Sequence, residues 1–68
     1  GLGTIILAEL IRRAKTLGFH SILASISSDR TPSIRLHEKL GFVKLAHLPE
    51  IGFKFDRWLD VVHLQKRL

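Results

Sequence analysis

Gly1 and Gly3 flank Leu2 and lead through Thr4 directly into an amphipathic run. Glycine just before a helix lets a backbone come close to a ligand. The first N–H groups of that helix lack intrahelical partners and carry a partial positive charge. A start of this kind can cradle a phosphate. Here it stands at residue 1 with no strand in front of it. Either half of an anion site is present, or the likeness to a phosphate cradle is accidental.

The other chemistry-bearing side chains are sparse. His20, His37, His47 and His63 form no close metal-type pair, and no cysteine is present to join them. No metal is expected on that basis. Glu38 reads as a solvated helix carboxylate. Glu50 follows a proline in an expected loop and, like Glu38, is a general-base candidate in isolation. Trp58, ahead of a strand, reads as core; the other reading is an acceptor or dimer surface shared with Arg57 and Asp60. Phe42, Phe53 and Phe55 are not interleaved with basic residues on one face, which argues against a base-stacking surface.

The elements that must hold these residues follow from period and punctuation. Leu7, Leu10, Ile11, Ala14 and Leu17 recur at helical spacing, which predicts a helix from Thr4 to about Leu17 with those residues inward. Gly18 is its stop. His20 to Ile26 reads as a strand with Ile22, Ala24 and Ile26 on one face and Leu23 on the other, the pattern of an interior strand. Residues 27 to 32 form a loop, with Thr31 as N-cap and Pro32 at the first helical position. A second helix runs from Pro32 to Leu40 and ends at Gly41, with Phe42 packing back on its last turn. Phe42 to Leu48 is a strand, Pro49 to Asp56 a loop, and Leu59 to Gln65 a last strand. The order is helix, strand, helix, strand, strand, in a single α/β (α+β) unit over residues 1–68.

Sixty-eight residues allow one small domain with a marginal core. The absence of methionine and the opening in mid-motif make the chain read as a piece of a longer protein. No apolar run reaches the ~20 residues of a membrane helix, and no signal-peptide pattern is present. A cytoplasmic setting is expected. The net charge of +5 suits an anionic partner, either a phosphorylated cofactor or nucleic acid.

Three segments together carry a family resemblance. They are Gly1-Leu2-Gly3-Thr4 opening a helix, the junction from Ser33 through Leu36-His37-Glu38-Lys39-Leu40-Gly41-Phe42, and the stretch Gly52-Phe53-Lys54-Phe55-Asp56-Arg57-Trp58-Leu59-Asp60. In this order and spacing the chain resembles the GNAT superfamily of N-acetyltransferases. The third segment is similar to its phosphinothricin acetyltransferase-like branch, which acylates small amino-acid-type substrates. The resemblance covers the whole chain and corresponds to the C-terminal part of an acyl-CoA N-acyltransferase fold with a mixed sheet.

That resemblance implies transfer of an acetyl group from acetyl-CoA to the primary amine of a small amino-acid-like substrate. Gly1, Leu2, Gly3 and Thr4 match the end of the loop that holds the pyrophosphate. The family's Arg or Gln three residues ahead of Gly1 has no counterpart here. Arg30 stands where an Asn contacts the cofactor arm, and Lys39 where some members contact CoA. His37 takes the place of a tyrosine that protonates the leaving thiolate. Ser33 either donates to the cofactor arm or softens the helix start. The thioester carbonyl donor and the general base are expected upstream of Gly1. The 68 residues alone are therefore expected to be inactive and to self-associate, with a homodimer expected for the parent protein. Two other readings stay open: a non-catalytic CoA- or nucleotide-binding remnant, and a basic nucleic-acid-binding domain.

Overall fold

The computed structural model describes residues 1–68. Five elements follow one another: α1 (Leu2–Thr16), β1 (Ser21–Ser27), α2 (Thr31–Lys39), β2 (Val43–Lys54) and β3 (Arg57–Arg67). This is the expected order, with shifted boundaries.

Both helices end by the same device. Gly18 has φ 85° and Gly41 φ 97°, the left-handed conformation that glycine adopts without a Cβ penalty. At the first stop, Gly18 N–H donates to the Lys15 carbonyl at 3.0 Å and Phe19 N–H to the Ala14 carbonyl at 3.0 Å. At the second, Gly41 N–H donates to Glu38 at 3.1 Å and Phe42 N–H to His37 at 3.0 Å. These paired bonds are Schellman motifs, and they satisfy carbonyls that a bare helix end leaves unpaired.

The helix starts differ from expectation. α1 begins at Leu2, with Gly1 as its N-cap residue, so Gly3 lies inside the first turn rather than ahead of it. At α2 the N-cap position is Arg30, with no side-chain capping bond, and Thr31 is already helical. Pro32 sets a helical φ on its own and lacks the N–H that a cap would satisfy.

The three strands form one sheet in the order β1-β3-β2, antiparallel at both pairings. The mixed sheet implied by the resemblance does not extend to these three strands, where a hairpin joins β2 to β3 and β1 runs against β3. Within these residues β1 pairs only with β3, and its faces differ: Ile22, Ala24 and Ile26 reach the core, while Leu23 is 60% exposed. Alternation shows which face a strand can bury, not how many neighbours it has.

The expected loop at Pro49–Asp56 is mostly strand. β2 runs on to Lys54 with register shifts at Lys44/Ala46 and Leu48/Gly52. Pro49 is tolerated because β2 is an edge strand broken by an irregularity. The turn is only Phe55–Asp56, with φ 52° and 58°, the handedness that two-residue hairpins require.

The core is Ile11, Phe42, Val62 and Leu64, flanked by Leu7, Ile22, Ala24, Ile26, Ile34, Leu40 and Leu68. Both helices therefore pack on the sheet face that carries Val62 and Leu64. Two members of the expected helix face, Leu10 and Leu17, are exposed, as is Trp58, which is not core. Trp58 instead packs beside Phe53 at 5.1 Å on the open hairpin, its cross-strand partner in the β2–β3 ladder.

Candidate acetyl-CoA and acceptor site

Two places in the fold carry chemistry, and α2 lies between them. The first is the start of α1. The first backbone bond of the helix is Ile5 N–H to the Gly1 carbonyl at 3.3 Å, and the N–H groups of a helix's first turn lie outside its own ladder of bonds. No side chain caps this end, and its first turn holds no acid. A Cβ added at Gly1 would meet nothing of this chain within 4 Å, and one at Gly3 would make ordinary contact with Leu36 Cδ2 at 3.4 Å. Packing within the chain therefore does not demand either glycine. A bare cluster of backbone donors with no neighbouring carboxylate fits a pyrophosphate.

The second is a cleft of about 500 Å³ between α2 and the last residues of β1. Its walls are Ala24, Ser25, Ile26 and Ser27 of β1, Arg30, Ser33 and His37 of α2 and its cap, and Lys54 at the end of β2. The Ser27 hydroxyl oxygen is buried and faces Asp29, whose carboxyl it helps to hold below the usual range. His37 is half-buried, and its Nδ1 lies 2.7 Å from the Ser33 carbonyl oxygen. A carbonyl only accepts, so Nδ1 carries the hydrogen and Nε2 is the free nitrogen. Phe42 meets the His37 ring in a T-shaped arrangement at 5.0 Å. The imidazole is held on both sides before any ligand arrives.

Residues 1–63 match the acetyltransferase (GNAT) domain family. The chain belongs to that family. It is 46% identical to the L-methionine sulfoximine/L-methionine sulfone acetyltransferase of Salmonella typhimurium, over all of this chain and 40% of that relative. The GNAT acetyltransferase of Salmonella typhimurium solved with its cofactor acetyl-CoA superposes on the whole chain with a TM-score of 0.97 at 46% identity, over 39% of its own length. The phosphinothricin acetyltransferase of Sinorhizobium meliloti, solved in complex with acetyl-CoA, gives a TM-score of 0.95 at 40% identity, over all of this chain and 37% of its own. The chain thus spans about two fifths of the GNAT relatives it matches, and it corresponds to the C-terminal part of their fold.

Within this GNAT unit the expected site residues separate into groups. Gly1 to Thr4 cluster at the start of α1 and touch α2 through Gly3 and Leu36. Arg30 and His37 share the cleft wall. Lys39 is exposed at the far end of α2 and does not line the cleft.

Lys54 and the serines of β1 were not expected in the site. Lys54 fell in a supposed loop, and only the long hairpin brings it across to β1. The sequence signal for it was available: Phe55-Asp56 is a tolerable two-residue turn between alternating residues.

Glu50, considered as a base, has a structural task through its backbone. Its φ is 48°, and its N–H donates to Asp60 Oδ1 at 2.9 Å. Asp60 Oδ2 lies 2.6 Å from His47 Nε2. The His47 hydrogen bond, then the Glu50 N–H, hold the Asp60 carboxyl below its usual range. Arg57 pairs with Asp29 at 2.7 Å, tying the hairpin to the loop after β1. No group of three or more His, Cys, Asp or Glu side chains is placed to hold a metal ion. No helix is long and apolar enough to cross a membrane.

Proposed function

We propose that the protein carrying these residues is an N-acetyltransferase that moves an acetyl group from acetyl-CoA to the primary amine of a small amino-acid-like substrate. The observation that carries this reading is the glycine-bearing, acid-free first turn of α1 set against the helix that holds His37 over a cleft. The named activities and acetyl-CoA complexes of the GNAT relatives support it.

Acetyl-CoA, when bound, supplies the activated acyl group. The N–H groups of Leu2, Gly3 and Thr4 hold its pyrophosphate, and the missing Cβ atoms of Gly1 and Gly3 allow close approach. Lys39 adds charge for its phosphates from the end of α2. Arg30, on the cleft wall that also carries His37, contacts the cofactor arm. Fixing both reactants in place supplies the proximity gain.

His37 is the proton carrier of this chain. With Nδ1–H committed to Ser33, neutral His37 offers only an acceptor at Nε2. To protonate a leaving thiolate it must first be the imidazolium, which gives up the Nε2 proton and returns to the same tautomer. Ser33 thus fixes which nitrogen does the work.

The reading includes a homodimer in a cytoplasmic setting, with sedimentation as the check on assembly. The deciding experiment is calorimetric titration of acetyl-CoA into the full-length protein, followed by an acceptor screen that includes phosphinothricin and L-methionine sulfoximine. Micromolar binding followed by acetylation of such an amine is the expected result. Absence of both would overturn the proposal.

A further inference from the structure

We propose that the Asp29–Arg57 ion pair is a positioning device, which ties the β2–β3 hairpin to the loop before α2 and so holds Arg30 where it meets the cofactor arm. This rests on the acetyl-transfer reading for the cofactor, and it adds two residues that act through Arg30.

The connections converge on a very short loop. β1 ends at Ser27 and α2 begins at Thr31, so only Ser28, Asp29 and Arg30 join them. Ser28 N–H donates to the Asp60 carbonyl at 2.9 Å, and Arg30 N–H to the Ser27 carbonyl at 2.9 Å. Between those bonds, Arg57 Nη2 donates to Asp29 Oδ2 at 2.7 Å, across 28 positions of sequence. The Ser27 hydroxyl faces the same carboxyl, and with the Arg57 charge it holds Asp29 below the usual carboxylate range. The pair is therefore charged at neutral pH.

Both ends of this tie bear on the cleft. Arg57 is the cross-strand partner of Lys54, one on each side of the Phe55–Asp56 turn. Lys54 lines the cleft from the hairpin, and Arg30 lines it from the start of α2. The Asp29–Arg57 bond thus joins one wall to the other. Arg30 is the N-cap residue, with φ −89° and ψ 60° and no side-chain capping bond. Its backbone is set by Asp29 on one side and by the helix on the other, where Ile34 N–H donates to the Arg30 carbonyl at 3.1 Å.

The tie also decides a competition between charges. The Asp29 carboxylate is lowered by the adjacent Arg30 as well as by Arg57. With Arg57 bonded to it, Asp29 has its counter-ion, and the Arg30 guanidinium is left for an oxygen of the cofactor. The bridge is exposed at both ends, so it adds little to stability. A contact that barely stabilises the fold but fixes a three-residue loop shows in ligand binding rather than in melting.

The test is calorimetric titration of acetyl-CoA into the full-length protein and its Asp29→Asn, Arg57→Gln, Arg57→Lys and Asp29→Asn/Arg57→Gln variants, with thermal melts alongside. Asp29→Asn is expected to raise the Kd by about fivefold, the scale of coupling within one network. Arg57→Gln should raise it further, because it leaves an uncompensated carboxylate beside Arg30. The double variant should return to the value of Asp29→Asn, and Arg57→Lys should stay close to wild type. Melting temperatures should differ little throughout. Losses that simply add in the double variant would overturn the proposal, as would losses that track a large fall in melting temperature. Single variants that bind like wild type would overturn the positioning role alone. A wild type that binds no acetyl-CoA would overturn the acetyl-transfer reading and this role with it.

Discussion

Phe42 donates its backbone N–H to the His37 carbonyl at 3.0 Å and packs its ring against the His37 imidazole at 5.0 Å. One residue thus closes α2, fills the core and orients the candidate proton carrier. In a Schellman motif the residue two beyond the cap contacts the one three before it, and here that contact falls on the histidine. Phe42 is 3% exposed, so Phe42→Ala is expected to cost ~3–5 kcal/mol. Phe42→Leu keeps most of the burial and removes the ring contact, so stability should fall less while kcat still drops. Denaturant melts with steady-state kinetics on the full-length protein separate the two effects.

His37→Ala is expected to lower kcat by about 10²-fold or more, the range for loss of a general acid–base group. Affinity for acetyl-CoA, measured by calorimetry, should change little. A comparable fall in that affinity would make His37 a binding residue.

Acid pH should loosen the hairpin through Asp60. Its carboxyl is held low in the folded chain by the His47 hydrogen bond and by the Glu50 N–H. A carboxylate depressed on folding contributes stability above its unfolded pKa, and that stability is lost as pH falls through the folded value. Thermal melts from pH 7 down to pH 3 are expected to show this decline, with a shallower slope in Asp60→Asn. Glu9, bound first by Arg12 and then by Arg13, is brought down to about 2. Its NMR titration should move upward in Arg12→Ala.

The start of α1 should be sensitive to charge. Gly3→Asp places a carboxylate in the first turn, where the proposed pyrophosphate would sit. Its Kd for acetyl-CoA is expected to rise by about tenfold or more, the scale on which like charges oppose a charge-assisted bond. Gly3→Ala adds only a Cβ in ordinary contact with Leu36 and should bind more nearly like wild type. The 68 residues assayed alone are expected to give no turnover, and a coupled thiol-release assay checks this.

The hairpin turn can be improved. Asp56 has φ 58°. Asp56→Gly relieves the Cβ penalty at a position where type I′ turns favour glycine, so the melting temperature should rise, by up to about 1 kcal/mol of stability. An unchanged melt would show that the turn does not limit the folded state.

Element order and the two helix stops were legible in the residues because their causes are local. Helical spacing and a glycine that must adopt positive φ act within a few positions, so Gly18, Gly41 and the return of Phe42 could be placed without a fold. The three motif segments similarly sufficed to place the chain in the GNAT family. Exposure of Leu10, Leu17 and Trp58 was not legible, since an apolar residue is buried only if another element covers it. The turn-forming residues from Pro49 to Asp56 suggested a loop, yet pairing with β3 carries β2 on to Lys54. Only that pairing puts Lys54 across from Arg30, residues 24 positions apart in the chain. The tautomer of His37 was likewise decided in three dimensions, by a carbonyl one helical turn away that can accept but not donate. Local conformational preference wrote the elements; long-range pairing and burial assembled the cleft.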